Sequence, residues 1–225
     1  MASEISIVQN ETQPHKRRTL IATLIAVIVT GGAAFAAEPA GEPTRAFFGD
    51  LHLHTAYSFD AFIFKTVATP NDAYKFAKGV PLRHPTGAVY QLEKPLDFLA
   101  VTDHSEFMGV LRSMAEPNSP LARLPIVGKV TDPDVDVSMG AFNDIVTANL
   151  AGRSQSVLGD PQDWQGVVSE SWARMIEAAN RNYEPGKFTT FIAYEYTSTP
   201  DGRNLHRNVI YRGKWAPQPL SLIHI

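Results

Sequence analysis

The chain has 225 residues, with 20 Lys and Arg against 23 Asp and Glu, a formal net charge of −3, and no cysteine. That length is enough for one domain with a proper core. The composition excludes disulfides and lipidation at cysteine, and nothing in it resembles the basic footprint of a nucleic-acid binder.

In chain order, residues 1–36 read as an export signal. Lys16-Arg17-Arg18 precede an uncharged apolar stretch from Leu20 to Thr30, and Ala34-Phe35-Ala36 supplies small residues at the cleavage positions. The competing reading is an uncleaved membrane anchor, because the uncharged run from Thr19 to Ala37 approaches the roughly 20 residues that cross a bilayer. Its glycines and alanines favour cleavage. The expectation is therefore a periplasmic or secreted protein with no stable membrane association after cleavage, and a membrane-anchored one is the alternative. Residues 37–45 read as a linker and 46–225 as the folded domain.

The run Phe47 to His54 predicts a first strand, in which His52 and His54, two residues apart, share one face. Thr69 as N-cap, Pro70 at the first position and Gly79 as a stop predict a short helix between them. Leu96 to Thr102 is short and apolar, a buried strand that delivers Asp103-His104 at its end. From Glu106 to Asp163 the signal weakens to one amphipathic segment through Phe142, Ile145, Val146 and Leu150; a loop-rich excursion of this length is usually functional or a lid. Val168, Trp172, Met175, Ile176 and Ala179 recur at helical spacing, ended by Pro185-Gly186. Phe188 to Tyr196 reads as a buried strand carrying Glu195, and His206 to Tyr211 as another. Strands separated by helices imply βα units and a mainly parallel sheet or barrel, with functional groups at the C-terminal strand ends. His206 breaks that pattern, because it opens its strand.

Imidazoles and carboxylates recurring at strand ends point to metal ligation. His52 and His54 offer two nitrogens from one rigid element. Asp60, an ordinary turn aspartate if taken alone, lies where the chain can curl back over the strand end. Of the adjacent pair, His104 is expected to be a ligand and Asp103 a partner that orients an imidazole. Glu195 in an apolar strand must have a cation or donor for company, since burying it unpaired would be costly. His206 completes the candidate ligands. Arg203 and Arg207 are candidates for binding an anionic oxygen through a bidentate guanidinium, against the alternative of solvated surface arginines. His15 and His84 have no motif support.

Gly49-Asp50-Leu51-His52-Leu53-His54-Thr55 with Ser58 and Asp60, followed by Phe98 to Glu106, resembles the first two signatures of the PHP superfamily, named for its polymerase and histidinol phosphatase members. Phe188 to Ser198 and Asn204 to Val209 resemble more narrowly an exported, uncharacterised branch of it. The resemblance implies an α/β fold, a distorted (β/α)7 TIM-like barrel incomplete at the C-terminus, holding two or three Zn, Mn or Fe ions. It also implies His52, His54, Asp60, His104, Glu195 and His206 as metal ligands, with Glu195 bridging. The superfamily's late Asp-x-His is missing, and His224 in the closing Ser221 to Ile225 cannot be assumed to replace it, so the chain is expected to be the N-terminal part of a longer protein.

The function expected from this reading is a phosphoesterase-like, metal-dependent hydrolase that uses activated water on a small anionic substrate, with Asp103 and Glu195 as catalytic groups and Arg207 and Arg203 binding the substrate. Nucleic acid is not an expected partner. An amidohydrolase-type enzyme acting on amides or lactones is one alternative, and a non-catalytic metal-binding protein or inactive fragment is the other. There is no Gly-rich phosphate loop and no Gly-x-Ser-x-Gly elbow to suggest different chemistry.

Overall fold

The computed structural model describes residues 44–198, 203 and 205–219. The export signal, most of the linker and His224 lie outside these residues. Those from Phe47 onward belong to one unit. Its elements are β1 (Gly49–Leu53), α1 (Phe59–Ile63), α2 (Pro70–Ala77), β2 (Leu82–Arg83), β3 (Val89–Tyr90), β4 (Phe98–Val101), α3 (Val110–Met114) and a 3-10 turn at Pro120–Arg123. They continue with α4 (Val127–Val130), α5 (Val135–Leu150), α6 (Gln155–Leu158), α7 (Pro161–Asn182), β5 (Thr189–Ser198) and β6 (Leu205–Tyr211).

The main sheet has the order β1-β4-β5-β6, with the first three strands parallel and β6 antiparallel to β5. Leu99, Ala100 and Val101 are almost wholly buried, as befits an internal strand covered on both faces. The sheet is strongly curled. In a flat sheet with strands about 4.8 Å apart, β1 and β6 would be separated by about 14 Å. Here the Asn208 side-chain amide on β6 donates to the Leu51 carbonyl on β1 at 2.9 Å, spanning the concave face.

The expected (β/α)7 barrel is not what these residues form. Among the described residues the main sheet has four strands, one of them antiparallel, and β2 and β3 make a separate two-stranded hairpin. Only residues 199–204 link β5 to β6, too few for the crossover that a parallel pair requires, so the chain reverses instead. The hairpin was not anticipated, although His84-Pro85-Thr86-Gly87 supplies its turn.

The helices cover the outer face of the sheet. α7 turns Trp164, Val168, Trp172 and Met175 inward, and Trp172 meets Tyr194 of β5 edge-on at 5.8 Å between ring centres. α2 packs against α7 and is closed at its start by a reciprocal pair, the Thr69 hydroxyl accepting from the Asp72 N–H while the Asp72 carboxylate accepts from the Thr69 N–H. The 106–163 segment, expected to be irregular, is mostly helical. Its short helices, α3, α4 and α6, have four or five residues each and are too brief to display a 3.6-residue period, so only α5 was visible.

Gly109 ties this helical layer to the site loops. Its N–H donates to the Tyr57 carbonyl at 2.7 Å, its φ is +73°, and a Cβ there would stand 2.0 Å from Ser171 Oγ. Gly109→Ala should therefore lower stability by at least about 2 kcal/mol, left-handed backbone cost and steric conflict combined. Thermal or urea unfolding measures this, and an unchanged midpoint would contradict the packing of α3 on α7.

Candidate metal centre

The ends of β1 and β4 are stapled before any ligand is placed. The Thr102 N–H donates to the Leu53 carbonyl at 2.8 Å, and the Leu53 N–H donates to Thr102 Oγ1 at 3.0 Å. Asp103, fully buried, turns away from the concave face and accepts from both the Thr55 N–H and the Thr55 hydroxyl. That leaves His104 to turn toward the site. Its N–H donates to Ser58 Oγ at 3.2 Å, and its ring stacks on Phe59 with centroids 4.6 Å apart and planes 13° apart. Phe59 in turn stacks on Phe142 of α5 at 5.1 Å, so the middle segment buttresses the site from behind.

β5 brings in Glu195, only 1% exposed, paired in the ladder with His104. Its Oε2 lies 3.0 Å from His52 Nε2, 2.7 Å from His54 Nε2 and 3.8 Å from His104 Nδ1, while its Oε1 lies 2.6 Å from His206 Nδ1. Asp60, in the first turn of α1, reaches His54 Nδ1 at 3.1 Å and His104 Nε2 at 3.6 Å through Oδ2. Three overlapping sets, each with ligand atoms within 4.8 Å of one another, result: His52, His54 and Glu195; His54, Asp60 and His104; His104, Glu195 and His206. All six expected ligands are brought together.

The antiparallel direction of β6 explains His206. Thr197 pairs with His206 and Ser198 with Leu205, so the beginning of β6 lies beside the end of β5 and delivers its second residue to the same rim as the parallel strands.

Electrostatics follow from this crowding. Burial disfavours an imidazolium at His54, but the Asp60 and Glu195 carboxylates on its two nitrogens outweigh burial and lift its pKa to about 10. Burial would raise Glu195, yet the His54, His104 and His52 rings hold it at about 2. Asp60, despite its burial, is held well below the ordinary carboxylate range by His104, His54 and Ser58. Asp103 goes the other way: burial pushes it up to about 6 against the lowering by Thr55.

Asp103 and Arg207 do not take the places expected of them. The Asp103 side chain bonds to Thr55 rather than to an imidazole, so it orients the loop after β1 instead of a ligand. Arg207 pairs with Tyr196 across the ladder, one residue out of phase with Glu195 and His206, and so faces the helical side of the sheet; its guanidinium donates to the His206 carbonyl at 2.8 Å. Arg203 is exposed in the β5–β6 connection. Residues that the sequence reading passed over include Thr197, whose hydroxyl lies 2.8 Å from His104 Nδ1 and 3.1 Å from His206 Nδ1. Its position two residues after Glu195 on one strand was the available signal. Ser58, part of the first signature but given no role there, donates its hydroxyl to Asp60 Oδ1 at 2.6 Å.

Four imidazoles and two carboxylates at one rim mark a protein whose side chains could hold a metal ion. Residues 41–224 match the family described as "Protein of unknown function (DUF3604)", and the chain belongs to that family. No curated protein and no solved structure matches it. Among the described residues, no helix is long and apolar enough to cross a membrane.

The pH dependence of the metal-free protein follows from two shifts. The raised His54 contributes stability that is complete below pH 6.5 and lost as pH rises through about 10. The depressed Glu195 contributes stability present above pH 4.5 and lost as pH falls through about 2. An ion that takes His54 must displace its proton, so apparent affinity should rise roughly tenfold per pH unit above neutrality. Calorimetry in two buffers of different ionisation enthalpy reads the released proton; a pH-independent affinity would contradict a protonated His54.

Proposed function

We propose that this protein is a metal-dependent hydrolase of the PHP type, a phosphoesterase acting on a small anionic substrate. The observation that carries the reading is the Glu195 carboxylate, buried yet within 4 Å of four imidazoles through its two oxygens. A carboxylate that presents one oxygen to three imidazole nitrogens and the other to a fourth has the form of a bridging ligand. With no cysteine in the chain, nitrogen and oxygen donors alone suit Zn, Mn or Fe, and the overlapping sets have room for two or three such ions.

His52, His54 and Glu195 would hold one ion, Asp60 with His104 a second, and Glu195 with His206 a third. When bound, such ions lower the pKa of a water molecule toward neutrality and neutralise charge on phosphoryl oxygens. The chain's own groups do the rest. His104 and Glu195 are buried and fix the floor, whereas the His52 and His206 side chains are 54% and 41% exposed and leave the rim open to a small substrate. Asp103 keeps the Thr55 loop in place beneath them.

The test is turnover of an aryl phosphate, an aryl amide and a lactone by the metal-loaded protein, with and without chelator. Chelator-sensitive hydrolysis of the phosphate above the other two is the expected result. Glu195→Gln should lower it by at least about 100-fold, since removing even an outer partner of a ligand costs 10- to 100-fold. Arg207→Ala, on the opposite face, should leave it unchanged. Preference for amide or lactone would establish the amidohydrolase alternative, and metal retained through dialysis without turnover would overturn the enzyme reading.

A further inference from the structure

We infer that Glu106 is the positioning residue of His104: its carboxylate, seated behind the ring, keeps a proton on Nδ1 and thereby commits Nε2 to an ion shared with Asp60. The inference rests on the metal-centre reading and extends it to a residue outside the ligand set.

His104 stands in two of the three ligand sets. Its Nε2 is 3.6 Å from Asp60 Oδ2, and its Nδ1 is 3.8 Å from Glu195 Oε2. A neutral imidazole has one nitrogen with a free lone pair and one that carries a proton, so it can serve only one of these sets at a time. Stacking on Phe59 fixes the plane of the ring but not which of its nitrogens carries the proton. Something else must choose the edge.

Glu106 has the placement to do so. It is 7% exposed, and its Oε1 accepts from the Ser105 hydroxyl at 3.2 Å. Its Oε2 is buried with no hydrogen-bond partner, and His104 Nδ1 is 4.0 Å away. Leaving a buried carboxylate oxygen unpaired is costly, so a donor is required. The backbone N–H groups of Glu106 and Thr197 already lie against this carboxylate, the Nδ1–H edge of His104 is the side-chain donor beside it, and a shift of about 1 Å would bring that edge to ordinary hydrogen-bond length. Thr197 Oγ1, 2.8 Å from the same nitrogen, is a second acceptor on that edge. Metal-bound imidazoles commonly donate their remaining N–H to a carboxylate in this manner, which also raises ligand basicity.

Two measurements test this. In the zinc-loaded parent protein, nitrogen NMR of labelled histidine should find a proton on His104 Nδ1 and the metal on Nε2; metal on Nδ1 would overturn the inference without affecting the proposal that the centre binds metal. Glu106→Gln keeps the shape of the side chain and an acceptor oxygen while removing the charge. It should weaken one bound zinc by 10- to 100-fold, the same one weakened by Asp60→Asn, with the remaining zinc unchanged. Unaltered affinity for that ion would overturn the role assigned to Glu106. A parent protein that binds no zinc, manganese or iron would instead overturn the metal-centre reading and this inference with it.

Discussion

One buried carboxylate sets the terms for the rest of this structure. Glu195 sits at the rim of the sheet with 1% of its surface exposed, where an unpaired negative charge would be costly and would drive its own protonation. Four imidazoles converge on it instead. They come from the end of β1, from the segment just past β4 and from the start of β6, so the charge can be satisfied only if three strand ends meet. The curl of the sheet, recorded in the reach of Asn208 to Leu51, is the backbone counterpart of that meeting.

Supporting contacts divide the work in a recognisable way. Hydrogen bonds around Thr102, Asp103 and Thr55 fix the backbone of the rim segments after β1 and β4, and aromatic stacking through Phe59 and Phe142 fixes the plane of His104. The helical segment between β4 and α7 thus contributes rigidity behind the site. In the metal-free protein the Asp60 and Glu195 carboxylates share a protonated His54, whose pKa they raise. A cation would replace that proton in an arrangement already assembled, so little reorganisation has to accompany binding.

Four of the candidate ligands, His52, His54, His104 and Glu195, were legible in the sequence because each lies in or just past a short apolar run, and strand alternation makes His52 and His54 neighbours without knowledge of the fold. Local capping was equally legible at Thr69. The topology was not. Whether Leu205 to Tyr211 runs with or against β5 depends on the six-residue connection before it, and its apolar content is the same either way. The direction of that strand turned the anomaly of His206 into a rim residue, and alternation put its neighbour Arg207 on the face opposite Glu195. Short helices between Val110 and Leu158 escaped notice because four or five residues carry no measurable period. Asp103 differs for another reason: strand alternation put it opposite His104 as expected, but the donors waiting on that side are the Thr55 N–H and hydroxyl, not an imidazole.

The central claim is that Glu195 bridges bound cations. Anomalous X-ray diffraction from crystals loaded with zinc, recorded on either side of the metal's absorption edge, addresses it without reference to any substrate. The account predicts peaks about 2.0–2.2 Å from both Glu195 carboxylate oxygens, one shared with His52 and His54 and another with His206. Electron density showing Glu195 still paired directly with the imidazoles, and no anomalous peak within bonding distance of it, would contradict the claim.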